Sequence, residues 1–185
     1  MKWIVVILLM GFIMANDKIN NQTDLILETN QNSTLPVRTN NWMSVQGKDK
    51  WVGLSNNQIH KRQLNFIQPE YGIRAGAISL ITKAVNKNKK PEINISQIFF
   101  EDSAWAEDKE SYKLNAISKG FSDSDTFDLM DRDSLKSIVK FITNHEMGTV
   151  DYNNLKDKDK IIDRGIDMAY DYVLSDDYSL KEFIK

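Results

Sequence analysis

From Pro69 onward the chain acquires a strict helical period, and this feature limits its possible folds more than any other. Ile73, Ala77, Leu80, Ile81 and Ala84 recur at i, i+4, i+7, i+8 and i+11, one face of an α-helix that should end before the polar "NKNKKP" at 86–91. Two later stretches repeat the pattern. Leu135, Ile138, Val139 and Ile142 form one stripe with Lys136 and Lys140 opposite, and Ile161, Ile162, Gly165, Ile166, Ala169 and Val173 form another between about Asp157 and Tyr172. No comparable period-2 alternation occurs, so the sequence predicts a mainly α domain without an extensive sheet.

Punctuation between these runs sets the remaining elements. Pro69 suits a first helical position, and Glu70 places a negative charge at the positive end of the helix dipole. Gly72 permits close approach of another backbone, and Arg74 stands four residues after Glu70, where the two can pair. "INISQIFF" at 93–100 suits a short helix or an extended turn, and "YKLNAISKGF", with Leu114, Ile117 and the stop-like Gly120, a short helix. Asp131 or Asp133 is a natural N-cap for the helix that follows. "SLKEFI" reads as a short helical tail. Residues 40–69, with asparagine pairs, two glycines and scattered aromatics, predict loops and one small hairpin pairing Trp51–Leu54 with Leu64–Ile67.

The N-terminus differs from the rest. After Lys2, thirteen uncharged, mostly large apolar residues run from Trp3 to Ala15. That run is shorter than the ~20 residues of a usual bilayer-spanning helix, and it has the layout of a secretory signal. Three readings stay open: a cleaved signal peptide, an uncleaved membrane anchor, or an N-terminal hydrophobic helix packed in the core. Residues 16–36, rich in Asn, Thr and Gln, read as a polar tether, which leaves 37–185 as the helical domain.

Composition narrows the function classes. With 24 basic and 26 acidic residues spread through both halves, the chain has no general field for nucleic acid. The absence of cysteine removes thiol catalysis and Cys-type zinc sites. Only His60 and His145 are present, with no HExxH, so neither a metal nor another cofactor is expected.

The chemistry points instead to carboxylates. The stripe through Ile142, extended by one turn, reaches His145 and Glu146 just before Gly148. Partial desolvation and the negative end of the helix dipole both disfavour an ionised carboxylate there, which is how a general acid is prepared for glycoside cleavage. The same residues also allow a plainer reading, in which Glu146 reaches water and His145 satisfies the end carbonyls of its helix. His145 points about 100° away from Glu146 on an ideal helix. The acidic cluster Glu101, Asp102, Glu107, Asp108 and Glu110 reads as a solvated face.

Four segments in order, "RTNNW" at 38–42, "FIQPEYGIRA" at 66–75, "WAEDKESY" at 105–112 and "NHEMG" at 144–148, carry a family likeness. They resemble a family of phage structural proteins with a lysozyme-like domain, whose pattern runs R-x-N-N-P-G-N, F-x-x-P-E-x-G-I-R-A, W-A-P with a following E-N and Tyr, and H-E-N-G. The second and fourth segments match best. The Pro-Gly-Asn after Asn41 is replaced by Trp42, Met43 and Ser44, and the prolines after Ala106 are missing.

The resemblance implies a lysozyme-like fold over about 38–170 and a domain directed at the glycan strands of peptidoglycan. In that reading Glu146 is the acid and Glu70 a second catalytic candidate. Arg38, Asn40 and Asn41 would bond sugar substituents, Trp105 and Tyr112 would form a stacking wall, and Arg74 and His145 would complete the substrate site. The implied location is the virion, the host periplasm or a membrane reached through residues 3–15. Two functions follow: a peptidoglycan glycosidase of lysozyme or lytic transglycosylase type, or a non-catalytic, membrane-anchored virion protein that contacts other virion proteins.

Overall fold

The helix that begins at Pro69 organises everything around it. In the computed structural model, which describes residues 33–47, 49–101 and 108–184, the elements are α1 (Leu35–Arg38), α2 (Pro69–Asn88), β1 (Glu92–Asn94), α3 (Ile95–Phe99), α4 (Lys109–Ser118), β2 (Thr126–Asp128), α5 (Arg132–Met147), α6 (Thr149–Asn154) and α7 (Lys158–Val173). A 3-10 turn at Lys181–Phe183 stands where "SLKEFI" predicted a helical tail. The fold is mainly helical with one two-stranded sheet, and the compact unit begins at Thr34. The apolar run 3–15, the tether as far as residue 32, and Trp105 lie outside the described residues. Among the described residues no helix is long and apolar enough to cross a membrane.

α2 departs from the one-faced helix that its period predicts. It is buried nearly all round, with Gly72, Ile73, Ala75, Gly76, Ala77, Ile78, Leu80, Ile81, Ala84 and Val85 out of water. Small residues make this possible. A Cβ on Gly72 would lie 2.4 Å from the Asn40 carbonyl oxygen, and one on Gly76 would meet the Met43 side chain at 2.3 Å. On another face Ile73 presses against Gly165 of α7, where a Cβ would sit 2.5 Å from Ile73 atoms. The helix also continues through Asn86, Lys87 and Asn88 before Lys89 takes a left-handed conformation, so it ends three residues later than predicted. Polar residues do not break a helix whose hydrogen bonds are intact. The change of backbone hand does.

α5 and α7 pack with their apolar stripes inward, as their periods predict: Leu135, Ile138, Val139 and Ile142 from α5, and Ile162, Gly165, Ile166, Ala169 and Val173 from α7, while Ile161 is only half-buried. Their polar edges pair as Arg132 with Asp163 and Asp167, Lys136 with Asp163 at 2.8 Å, and Lys140 with Asp159 at 2.8 Å. The rising numbers on α5 meet falling numbers on α7, so the helices run antiparallel. Such exposed pairs add little stability, but they agree with the register set by the core. Asp131 is the N-cap of α5, accepting from Ser134 N at 2.8 Å.

The region read as a hairpin is held differently. Two isolated antiparallel bridges, Gln46 with Gln63 and Leu54 with Phe66, replace a ladder. Side-chain amides supply the rest: Asn65 N donates to Gln58 Oε1 at 2.8 Å, and Asn65 Nδ2 to Asn57 O at 2.6 Å. Asparagine and glutamine offer the backbone this alternative to strand pairing. The only sheet among the described residues pairs β1 with β2 in the register Glu92–Asp128, Ile93–Phe127, Asn94–Thr126. Asn94 then opens α3 with a capping box, exchanging bonds with Gln97 N and Gln97 Oε1.

Candidate functional site

The last turn of α5 carries the cluster with the clearest chemistry. Gly148, at φ +75°, caps the helix, so His145 and Glu146 sit half-buried at its end while Met147 turns into the core. α4 comes up against them. Its N-cap Asp108 accepts from Ser111 N at 3.0 Å, and the resulting phase turns Tyr112 and Ala116 inward. Leu114 and Ile117, the apolar residues that announced this helix, are instead 61% and 56% exposed.

Tyr112 links the two helices. Its ring stacks on Phe99 at 4.6 Å between centroids and lies 3.7 Å from the His145 ring, and its hydroxyl donates to the Glu146 carboxylate. Burial, reinforced by the Glu146 charge and that bond, pushes the phenol well above its ordinary pKa, so it is a donor throughout the neutral range. Asn115 Nδ2 lies 2.9 Å from His145 Nδ1, which makes Nδ1 the acceptor and leaves the proton of the neutral ring on Nε2. Burial lowers the His145 pKa, against the opposing charges of Glu146 and Asp108, and so favours the neutral imidazole. The arrangement is a carboxylate aimed by a buried phenol, beside a neutral imidazole of fixed orientation.

A cleft of about 290 Å³ opens next to this cluster, with Asn115, Phe121, Phe141, Asn144 and Tyr152 on its walls. Asn115 is common to the cleft and the imidazole, whereas Glu146 is not among the lining residues. The Tyr152 hydroxyl and Thr143 Oγ1 are buried without a partner. Sequence reasoning missed Asn115. Its only signal was the i, i+3 spacing from Tyr112, which puts both on one helix face.

The other predicted site residues fall elsewhere. Glu70, whose side chain is 13% exposed, pairs with Arg164 of α7 in a separate cleft with Gln68, Tyr71 and Met168. No described cleft contains both Glu70 and Glu146. The expected i, i+4 partner, Arg74, lies over the Tyr172 ring at 5.2 Å instead, because α7 presents a guanidinium to Glu70 and an aromatic face to Arg74. Asn41 is fully buried, with Nδ2 donating to Val45 O at 2.8 Å and Leu64 O at 3.0 Å while Oδ1 accepts from Val45 N. Both its amide hydrogens are engaged within the loop, so none is left for a sugar. Asn40, at φ +51°, donates to Phe66 O at 3.0 Å. Arg38 is exposed at the end of α1, which packs against α5.

No protein-family model matches the chain, and no curated protein matches it.

The functional reading therefore stands on the residues themselves. The residues of "PEYGIRAG" have largely architectural roles: Pro69 starts the helix, Glu70 ties it to α7, Gly72 and Gly76 admit the 40–43 segment, and Arg74 lies over an aromatic ring.

Proposed function

We propose that the domain acts on the glycan strands of peptidoglycan as a phage-encoded, virion- or membrane-associated glycosidase of lysozyme or lytic transglycosylase type, with Glu146 as the general acid. One observation carries the reading: the Glu146 carboxylate is held by a buried phenol at the end of an apolar helix, beside a cleft that shares Asn115 with the neighbouring imidazole. In this reading the Glu146 carboxyl gives its proton to the departing sugar oxygen as the glycosidic bond breaks, and water or the sugar's own hydroxyl bonds to the anomeric carbon and returns a proton to the carboxylate. Tyr112 fixes the carboxyl while Asn115 fixes His145. The family likeness of "NHEMG" supports the same assignment.

A specific observation favours the second reading, a non-catalytic virion protein with a degenerate lysozyme-like domain. Glu70, Gly72 and Asn41, which belong to the asparagine and PEYGIRA segments of the pattern, are all occupied in holding the fold. A zymogram on purified cell walls with wild type and Glu146→Gln separates the two. Clearing by wild type alone supports catalysis. No clearing by folded wild type supports the scaffold, and equal clearing by both removes Glu146 from the mechanism.

A further inference from the structure

A cleft of about 340 Å³ lies away from Glu146, between the 49–52 loop, the middle of α2, the end of α7 and the C-terminal turn. Its walls are unusual in one respect. Trp51, Tyr172 and Tyr178 supply three aromatic rings, and Arg74 lies over the Tyr172 ring. The guanidinium is half-buried and makes no ion pair among the described residues. Asp49, also on the wall, is exposed and unpaired with it. Burial holds Arg74 below the usual arginine range, with only tyrosines as compensating neighbours. The Trp51 indole N–H is out of water and has no acceptor.

A half-buried guanidinium with no ion pair among the described residues is a cation that a ligand carboxylate entering the cleft would neutralise. Planar guanidinium matches a carboxylate in two-point geometry. Aromatic faces with nearby hydroxyls, here the Thr82 and Tyr178 pair bonded at 2.9 Å, suit the apolar face and the polar rim of a sugar ring.

We propose that this cleft is a binding site for a carboxylated sugar, its carboxylate on Arg74 and its ring against Tyr172 and Trp51. The site needs no chemistry at Glu146 and stands whether or not the glycan-cleavage reading does. The family resemblance grouped Arg74 with the substrate-binding residues around Glu146, but it lines a different cleft.

The test uses the full chain labelled with 15N, titrated with N-acetylmuramic acid and, separately, with its uncharged counterpart N-acetylglucosamine. The Trp51 indole signal is assigned from Trp51→Phe. The expected result is a saturable shift of that signal by the acid, at least tenfold tighter than by the neutral sugar, with the preference lost in Arg74→Gln. Because Arg74 also packs on Tyr172, the wild-type comparison of charged and neutral ligand decides the matter even if that variant misfolds. Equal affinity for the two, no saturable shift by the acid, or shifts confined to the His145 region would overturn the proposal.

Discussion

Replacing Gly72 by alanine should destabilise this domain, although the same change at an open helix position stabilises. Alanine is favoured over glycine by about 1 kcal/mol in a helix interior. At Gly72 the new methyl would stand 2.4 Å from the Asn40 carbonyl oxygen and 3.0 Å from Asn41 Cα. Those atoms cannot give way cheaply. Asn40 is tied to Phe66 O, Asn41 to Val45 and Leu64, and the Asn41 N–H to Pro36 O at 2.9 Å. Overpacking of a tight site costs about 1–3 kcal/mol and sometimes more, and immovable backbone places this case at the upper end or beyond. The net loss is about 2 kcal/mol or more, a fall of at least roughly 4–8 °C in Tm for a domain near 150 residues. Thermal and urea unfolding followed by circular dichroism measure it. Asn86→Ala, on the exposed face of the same helix, is the control and should gain about half a kcal/mol. A Gly72→Ala midpoint equal to or above wild type would refute the close approach of α2 to the 40–41 backbone.

Asn41→Ala strips partners from Val45 and Leu64 in a site without water access and should cost about 3 kcal/mol in urea unfolding, whether or not the domain is an enzyme. His145, whose pKa is lowered by burial, binds fewer protons folded than unfolded, so its contribution to stability falls as pH drops below about 6.5. His145→Gln should flatten the Tm profile between about pH 7 and 5.5, and an unchanged slope there would contradict the buried imidazole. Glu70→Gln breaks a pair whose arginine is 61% exposed, so it should cost below about 1 kcal/mol and, on the proposed glycosidase reading, leave wall clearing intact. Loss of clearing in that variant would return Glu70 to the catalytic group.

Much of the architecture is legible along the chain because helix period and capping are local properties. The stripes of α5 and α7, the cap at Asp131 and the start at Pro69 need only neighbours within one turn to declare themselves. The same locality explains the misreadings. In α4 the apolar residues Leu114 and Ile117 signalled a helix but not its buried face, which depends on where Phe99 and Phe141 leave room for Tyr112. In α2, glycine and alanine hide a helix whose first half is buried nearly all round, since their small size carries no hydrophobic signature.

The sequence by itself determined that this is a helical domain with an acid at the end of an apolar helix. Only tertiary packing decided what that acid touches. Tyr112 and Glu146 stand 34 residues apart, and Glu70 and Arg164 stand 94 apart, so neither pair follows from any period or motif. Each exists because two helices were brought to a fixed separation and rotation by the side chains between them, such as Ile73 seated on Gly165, and a contact of that kind is a property of the packed core rather than of the chain.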